Sequence, residues 1–194
     1  MLTSSTMAPR LGFFAHLYML LMLIVIAGIL SAAMVMQYAF GELPCPLCLL
    51  QRVGLFGVAF AAIMSLREDD SARTTGLGLL FSIFLLVVSV RQTLLDIYPR
   101  PGHEYIGTAV FGLHMPVWSV LIALALIGAY ALKLIAFGDA QRPHLTAYPA
   151  LRRIASVVGV FVIVLCAINL GSVVLQCGLD QCHTDAYRLL QRLR

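Results

Sequence analysis

Two cysteines separated by two residues, Cys45 and Cys48, lie where a short polar loop meets an apolar segment. This spacing brings two sulfurs near enough to close a disulfide with little rearrangement. Unpaired N–H groups at a helix N-terminus favour a thiolate, and Pro46 suits the first helical position because it has no N–H. Arg52 lies one turn after Cys48 on the same helix face. The pattern predicts a redox pair in which Arg52 stabilises a Cys48 thiolate or an anion beside it.

Other interpretations of these residues stay open at this point. The Cys-x-x-Cys pair can be chemically inert, or it can be half of a zinc site, although no second pair or His pair stands at zinc-like spacing on the same loop. Arg52 lies about one turn inside an apolar segment, where an arginine either serves a function or extends its head group to the membrane surface.

A second pair, Cys177 and Cys182, stands near the C-terminus. In a continuous helix, cysteines five residues apart point in different directions and cannot pair, but Gly178 weakens helix here and permits a small loop. A redox or structural disulfide, unpaired cysteines and a metal clip all remain open. Cys166 stands alone among Val, Ile and Leu, and we expect it to be a buried apolar residue.

The elements that position these cysteines are apolar. Hydrophobic residues make up 61% of the 194-residue chain and charged residues 11%, with a mean hydropathy of +0.94, against roughly 25% charged residues in soluble domains. This composition excludes an ordinary soluble enzyme, a disordered chain and a nucleic-acid-binding module. Five stretches are long enough to cross a bilayer, at about 11–40, 47–66, 75–98, 117–137 and 154–175. The prediction is an all-α polytopic protein with one integral membrane domain over 1–194.

The basic residues favour a cytoplasmic N-terminus. With that orientation, the inner side holds Arg10, Arg67, Arg73, Lys133, Arg142, Arg152 and Arg153. The outer side holds Arg100 in a short loop and Arg188, Arg192 and Arg194 in the tail. If the fifth segment crosses the membrane, Cys177 and Cys182 emerge on the same side as Cys45 and Cys48. If it does not, the tail lies inside.

Two blocks of sequence resemble the disulfide bond formation protein B (DsbB) family. One runs through Gln37-Tyr38-Ala39-Phe40, Pro44-Cys45-Pro46-Leu47-Cys48 and Gln51-Arg52-Val53-Gly54-Leu55-Phe56-Gly57. The other contains Leu95-Asp96-Ile97-Tyr98-Pro99 and Phe111-Gly112-Leu113-His114-Met115-Pro116-Val117-Trp118. The resemblance covers about 10–137. It implies a four-helix bundle of the bacterial inner membrane that binds ubiquinone and reoxidises a periplasmic thioredoxin-fold oxidase (DsbA). Residues 138–194 then add a fifth transmembrane helix and a cysteine-containing tail.

The resemblance also implies roles for single residues. Cys45 and Cys48 match the quinone-proximal disulfide pair, and Arg52 matches the arginine beside the quinone. The quinone-side His of the family falls at Gln92, and the adjacent Arg91 is a second candidate donor. Family members carry another cysteine pair in the second periplasmic loop, whereas the loop here has none and Cys177 and Cys182 follow the extra segment.

The function that we infer from the sequence is a quinone-dependent membrane thiol oxidase. A thiolate of the partner, or of the second pair acting as a relay, attacks Cys45, and Cys48 leaves as a thiolate that passes electrons to the quinone. We expect no metal cofactor in this enzyme. The alternative is a membrane protein that moves copper or zinc between the two cysteine pairs and His183, since thiolates suit Cu(I).

Overall fold

The computed structural model describes residues 7–67, 71–98, 111–138 and 144–178, with side chains from residue 11 onward. Its elements are α1 (Met7–Ala39), α2 (Pro46–Arg67), α3 (Ala72–Ile97), α4 (Met115–Phe137), a short 3-10 helix (Leu145–Ala147) and α5 (Pro149–Cys177). Helix α2 begins at Pro46, as the sequence predicts. Helix α5 begins five residues before the predicted apolar stretch, because Pro149 and the residues after it form its first turn.

All five long helices have the length and composition needed to cross a membrane. Their most apolar windows have mean hydropathies between 1.9 and 2.7. Large apolar side chains lie exposed on the outer faces of the helices, as lipid-facing residues do. Helices satisfy their own backbone hydrogen bonds, which a bilayer interior requires. The predicted all-α polytopic membrane fold is confirmed.

The helices form one bundle in which α2 packs against α1, α3 and α5, and α4 packs mainly against α3. Small residues permit some of these close approaches. At Gly78 of α3, an added Cβ would collide with the ring of Tyr130 on α4, a side chain that is fully buried. The fifth helix packs against both α1 and α2, so it is part of the bundle.

One end of the bundle brings together the C-terminal ends of α1, α3 and α5 and the N-terminal ends of α2 and α4; we call it the disulfide end. At the opposite end, the ammonium group of Lys133 on α4 is buried and joins three helices. It donates to Thr75 Oγ1 on α3 at 2.9 Å and to Ser65 Oγ on α2 at 3.3 Å. A buried lysine bound in this way fixes the ends of the helices relative to one another.

Candidate functional site

The Cys45–Cys48 disulfide is formed, with the two Cα atoms 5.0 Å apart. Cys45 immediately precedes α2, and its carbonyl accepts the first helical hydrogen bond, from Leu49 N. The backbone N–H of Cys48 donates to Cys45 Sγ at 3.1 Å, so the sulfur takes the place of an N-cap oxygen. This N–H lies where it can stabilise a thiolate on Cys45. Stabilisation of a Cys48 thiolate stays a prediction.

A chain of polar side chains from three helices ends at the two sulfurs. Gln92 Nε2 on α3 donates to Cys45 Sγ and Cys48 Sγ, at 3.4 Å each. Gln51 Nε2 on α2 donates to Gln92 Oε1 at 2.9 Å, and Ser119 Oγ on α4 donates to Gln51 Oε1 at 3.2 Å. Because Gln92 Oε1 accepts from Gln51, the N–H groups of its amide face the disulfide.

Arg52 is buried, with 8% of its surface exposed. Its guanidinium donates to Gln37 Oε1 and the Ala33 carbonyl on α1, and to Asn169 Oδ1 on α5 at 3.0 Å. The bond to Asn169 joins α2 to α5 inside the bundle. These partners hold the charge inside the bundle, which excludes extension of Arg52 to the membrane surface.

The fifth helix contacts the disulfide end directly. Gln176 is fully buried, and its Nε2 donates to the Pro44 carbonyl at 2.9 Å. One turn earlier, Ser172 shares a hydrogen bond with Tyr38 of α1. Cys177 is buried and disulfide-bonded. Each residue of the Gln176–Pro44 contact therefore has a cysteine as its sequence neighbour.

The second cysteine pair is described only in part. Cys177 ends α5 on the same side of the bundle as Cys45, which is the side that five crossings predict. Cys182 lies outside the described residues, as does His183. The pairing of Cys177 with Cys182 stays a prediction.

A cavity of about 280 Å³ lies beside the disulfide, and Cys48 lines it. Its other polar lining residues include Gln51, Arg52 and Ser119, while most of the wall is apolar and includes Trp118. Ligand sites typically combine an apolar wall with a few convergent polar groups. Such a lining suits a flat apolar ring that carries hydrogen-bond acceptors.

Two sequence-based expectations differ from the structure. Arg91 is exposed and lines a shallow groove with Val87, Val90 and Leu94, away from the cavity beside Cys48; its neighbour Gln92 is the residue that reaches the sulfurs. Cys166 is exposed, which corrects the expectation that it is buried. Helix α5 packs against the bundle on one face, and Cys166 lies outside the buried part of that face.

Sequence analysis missed three residues of this site, Gln51, Ser119 and Gln176. The two glutamines carry a signal that was available, since polar side chains inside apolar spans are costly and commonly functional. Ser119 carries no such signal, because serines satisfy themselves within a helix, as its bond to the Met115 carbonyl does here.

Residues 15–104 match the family model of disulfide bond formation protein DsbB. Disulfide bond formation protein B of Chromobacterium violaceum is 34% identical over 49% of this chain, and the match spans 61% of that relative. Proteins of the same name from Cupriavidus metallidurans and Aromatoleum aromaticum are 26% and 27% identical, over 61% and 68% of this chain and 91% and 93% of their own lengths. No solved structure matches the chain.

The region matched by the family model contains the residues on which the geometry converges. It includes the Cys45–Cys48 disulfide, Arg52 and Gln92, and it spans most of α1 together with α2 and α3. The site and the family match therefore coincide, and this part of the chain is similar to the disulfide bond formation protein B family.

Proposed function

We propose that this protein generates disulfides in the bacterial inner membrane, taking electrons from a periplasmic DsbA-like thiol oxidase and delivering them to ubiquinone. One observation supports this most strongly: the Cys45–Cys48 disulfide borders an apolar cavity that Arg52 also lines. In this arrangement a disulfide, which can accept two electrons, lies beside a site that suits an apolar ring. The family match supports disulfide formation. The quinone acceptor and the DsbA-like donor are our proposal.

The thiol chemistry is a pair of exchange steps. A thiolate attacks Cys45 Sγ, the Cys45–Cys48 bond breaks, and Cys48 leaves as a thiolate at the cavity wall. A second thiol of the donor then displaces Cys45, so the donor gains a disulfide and the protein holds two reduced cysteines. Gln92 N–H groups stabilise charge on either sulfur, and the Cys48 N–H stabilises it on Cys45.

The donor that attacks Cys45 is, in this proposal, the second cysteine pair. Cys45 is only 4% exposed, so a bulky soluble protein has little access to its sulfur. The Gln176–Pro44 contact brings the end of α5 to the loop that carries Cys45. We therefore propose that Cys177 and Cys182 take two electrons from the soluble partner and pass them inward to Cys45 and Cys48.

The cavity residues fit a quinone. Arg52 lines the cavity with a guanidinium that can donate to a carbonyl oxygen of the ring, and the apolar wall suits the carbon face of the ring. When bound, a quinone accepts two electrons and two protons and becomes a quinol, and the Cys45–Cys48 disulfide is restored. The chain holds Cys48 at the cavity wall.

The orientation follows from the loop charges. Seven basic residues stand on the side that we assign to the cytoplasm and four on the other, which supports a cytoplasmic N-terminus. The disulfide end then faces the periplasm. This is the side on which a soluble periplasmic partner is available.

Thiol trapping in cells tests the proposal. Cells making the protein are grown with and without respiratory quinone, and the redox state of Cys45 and Cys48 is read from a gel shift. We expect the pair to be oxidised with quinone and to accumulate as thiols without it. If oxidation is unaffected by quinone while copper or zinc protects the thiols, the metal-handling alternative is correct.

A further inference from the structure

A second cavity lies at the opposite end of the bundle from the disulfide. It has a volume of about 350 Å³ and lies between the C-terminal end of α2 and the beginning of α5. Its floor is apolar and is formed by Ile63, Leu66, Ala155, Gly159, Val160 and Ile163. Its rim carries polar and basic side chains, namely Arg67, His144, Thr146, Arg152 and Ser156. We call this cavity the basic groove.

The two arginines give the rim of the basic groove its charge. Arg67 is the last residue of α2, and Arg152 lies in the first turn of α5. Both are exposed, and neither is in an ion pair within the described part of the chain. The beginning of α5 adds the positive end of a helix dipole beside them.

The charged rim and the apolar floor of the groove lie at different depths along α2 and α5. Ile63 lies one turn deeper than Arg67 on α2, and Gly159 lies about two turns deeper than Arg152 on α5. A Cβ at Gly159 would contact Ile63 at an ordinary van der Waals distance of 3.8 Å, so α2 and α5 approach each other at the floor of the groove. This gradient matches the shape of a phospholipid and not that of a free anion.

We propose that the basic groove binds an anionic phospholipid. The phosphate group lies between Arg67 and Arg152, with hydroxyl donors from Thr146 and Ser156, and one acyl chain lies along the apolar floor. Basic pockets between membrane helices at the cytoplasmic surface commonly hold such head groups. The site is separate from the disulfide site and is independent of the proposed quinone chemistry.

Thermal unfolding of the full chain in uncharged detergent tests this. The protein is titrated with phosphatidylglycerol, with phosphatidylcholine and with glycerol 1-phosphate, which has the head-group charge but no acyl chain. The test variant is Arg67→Gln with Arg152→Gln. The control is Arg73→Gln with Arg153→Gln, which removes the same charge from two exposed arginines outside the groove.

We expect phosphatidylglycerol to raise the Tm of the wild type and the control, and the other two compounds to have little effect. The test variant should bind phosphatidylglycerol roughly tenfold or more weakly. Ser156→Phe, which keeps the charge and narrows the groove, should also weaken binding.

Three results would overturn the proposal. Equal affinities in the test variant and the control would mean a general surface charge effect. An equal response to glycerol 1-phosphate would mean an anion site without a lipid chain. No response of the wild type to phosphatidylglycerol would mean that the basic groove is not a phospholipid site.

Discussion

Gln176 Nε2 donates to the Pro44 carbonyl at 2.9 Å, which joins the last turn of α5 to the residue before the disulfide-bonded Cys45. Both groups are buried, and the contact links positions 132 residues apart in the chain. A helix outside the region matched by the family model thus forms part of the site. If electrons pass from Cys177 to Cys45, this contact holds the two cysteine segments together.

Replacing Gln176 should separate the two half-reactions. Gln176→Leu leaves the buried Pro44 carbonyl without this donor, which costs about 1–3 kcal/mol of stability. We expect slower oxidation of the soluble partner and nearly normal quinone reduction by a small dithiol. Leu175→Met, at an exposed neighbouring position, is the control. Parallel loss of both rates in Gln176→Leu would show that the contact supports folding alone.

Arg52→Met removes the charge from the cavity wall and keeps much of the volume. We expect quinone reduction to slow roughly tenfold or more, which corresponds to about 1.4 kcal/mol of barrier stabilisation. Arg52→Lys should restore the rate only in part, because lysine lacks the planar guanidinium group that bonds to both α1 and α5. The matched control is Arg91→Met on the exposed face of α3. An unchanged rate in Arg52→Met would remove this residue from the mechanism.

Gln92 should control both sulfurs through its amide N–H groups. Gln92→Leu removes the donor, and reduced cysteines should then reach the thiolate form only at higher pH. We expect the pH profile of the quinone reduction rate to shift to higher pH. Gln92→His supplies a ring N–H donor in place of the amide, and it should return the pH profile toward that of the wild type. A profile that stays in place in Gln92→Leu would show that the amide only packs against the disulfide.

The second cysteine pair should act in the half-reaction that faces the partner. Replacing both Cys177 and Cys182 by Ser should slow oxidation of the soluble partner and spare quinone reduction by a small dithiol. In a Cys48→Ser variant, the free Cys45 thiol should form a mixed disulfide with Cys177 or Cys182 under mild oxidation. If the double variant oxidises the partner at the normal rate, the pair is structural or idle.

The helices and the Cys45–Cys48 disulfide were predictable because their signals are local. Long apolar runs predict the spans, and Cys45 followed by Pro46 predicts a helix that begins at the disulfide. The partners of Arg52 were not predictable in detail. Asn169 lies 117 residues away on α5, and that contact depends on which face of α5 packs against α1 and α2.

The prediction that Cys166 is buried was wrong for the same reason, namely that the packed face of α5 is not evident from its sequence. Helix α5 is apolar around most of its circumference, so its sequence does not separate the lipid-facing side from the protein-facing side. Asn169, Ser172 and Gln176 mark the buried stripe, since polar side chains avoid lipid. Cys166 lies off that stripe.

The most direct test of the account compares Cys48→Ser with Cys166→Ser in purified protein, with reduced soluble partner and ubiquinone and with quinone reduction followed by absorbance. We predict that Cys48→Ser abolishes quinone reduction, because a serine hydroxyl is far too weak an acid to replace the thiolate. Cys166→Ser should retain nearly full activity, since its sulfur lies on the outer face of α5. Equal loss in the two variants, or normal quinone reduction by Cys48→Ser, would contradict the claim that the Cys45–Cys48 disulfide carries the electrons.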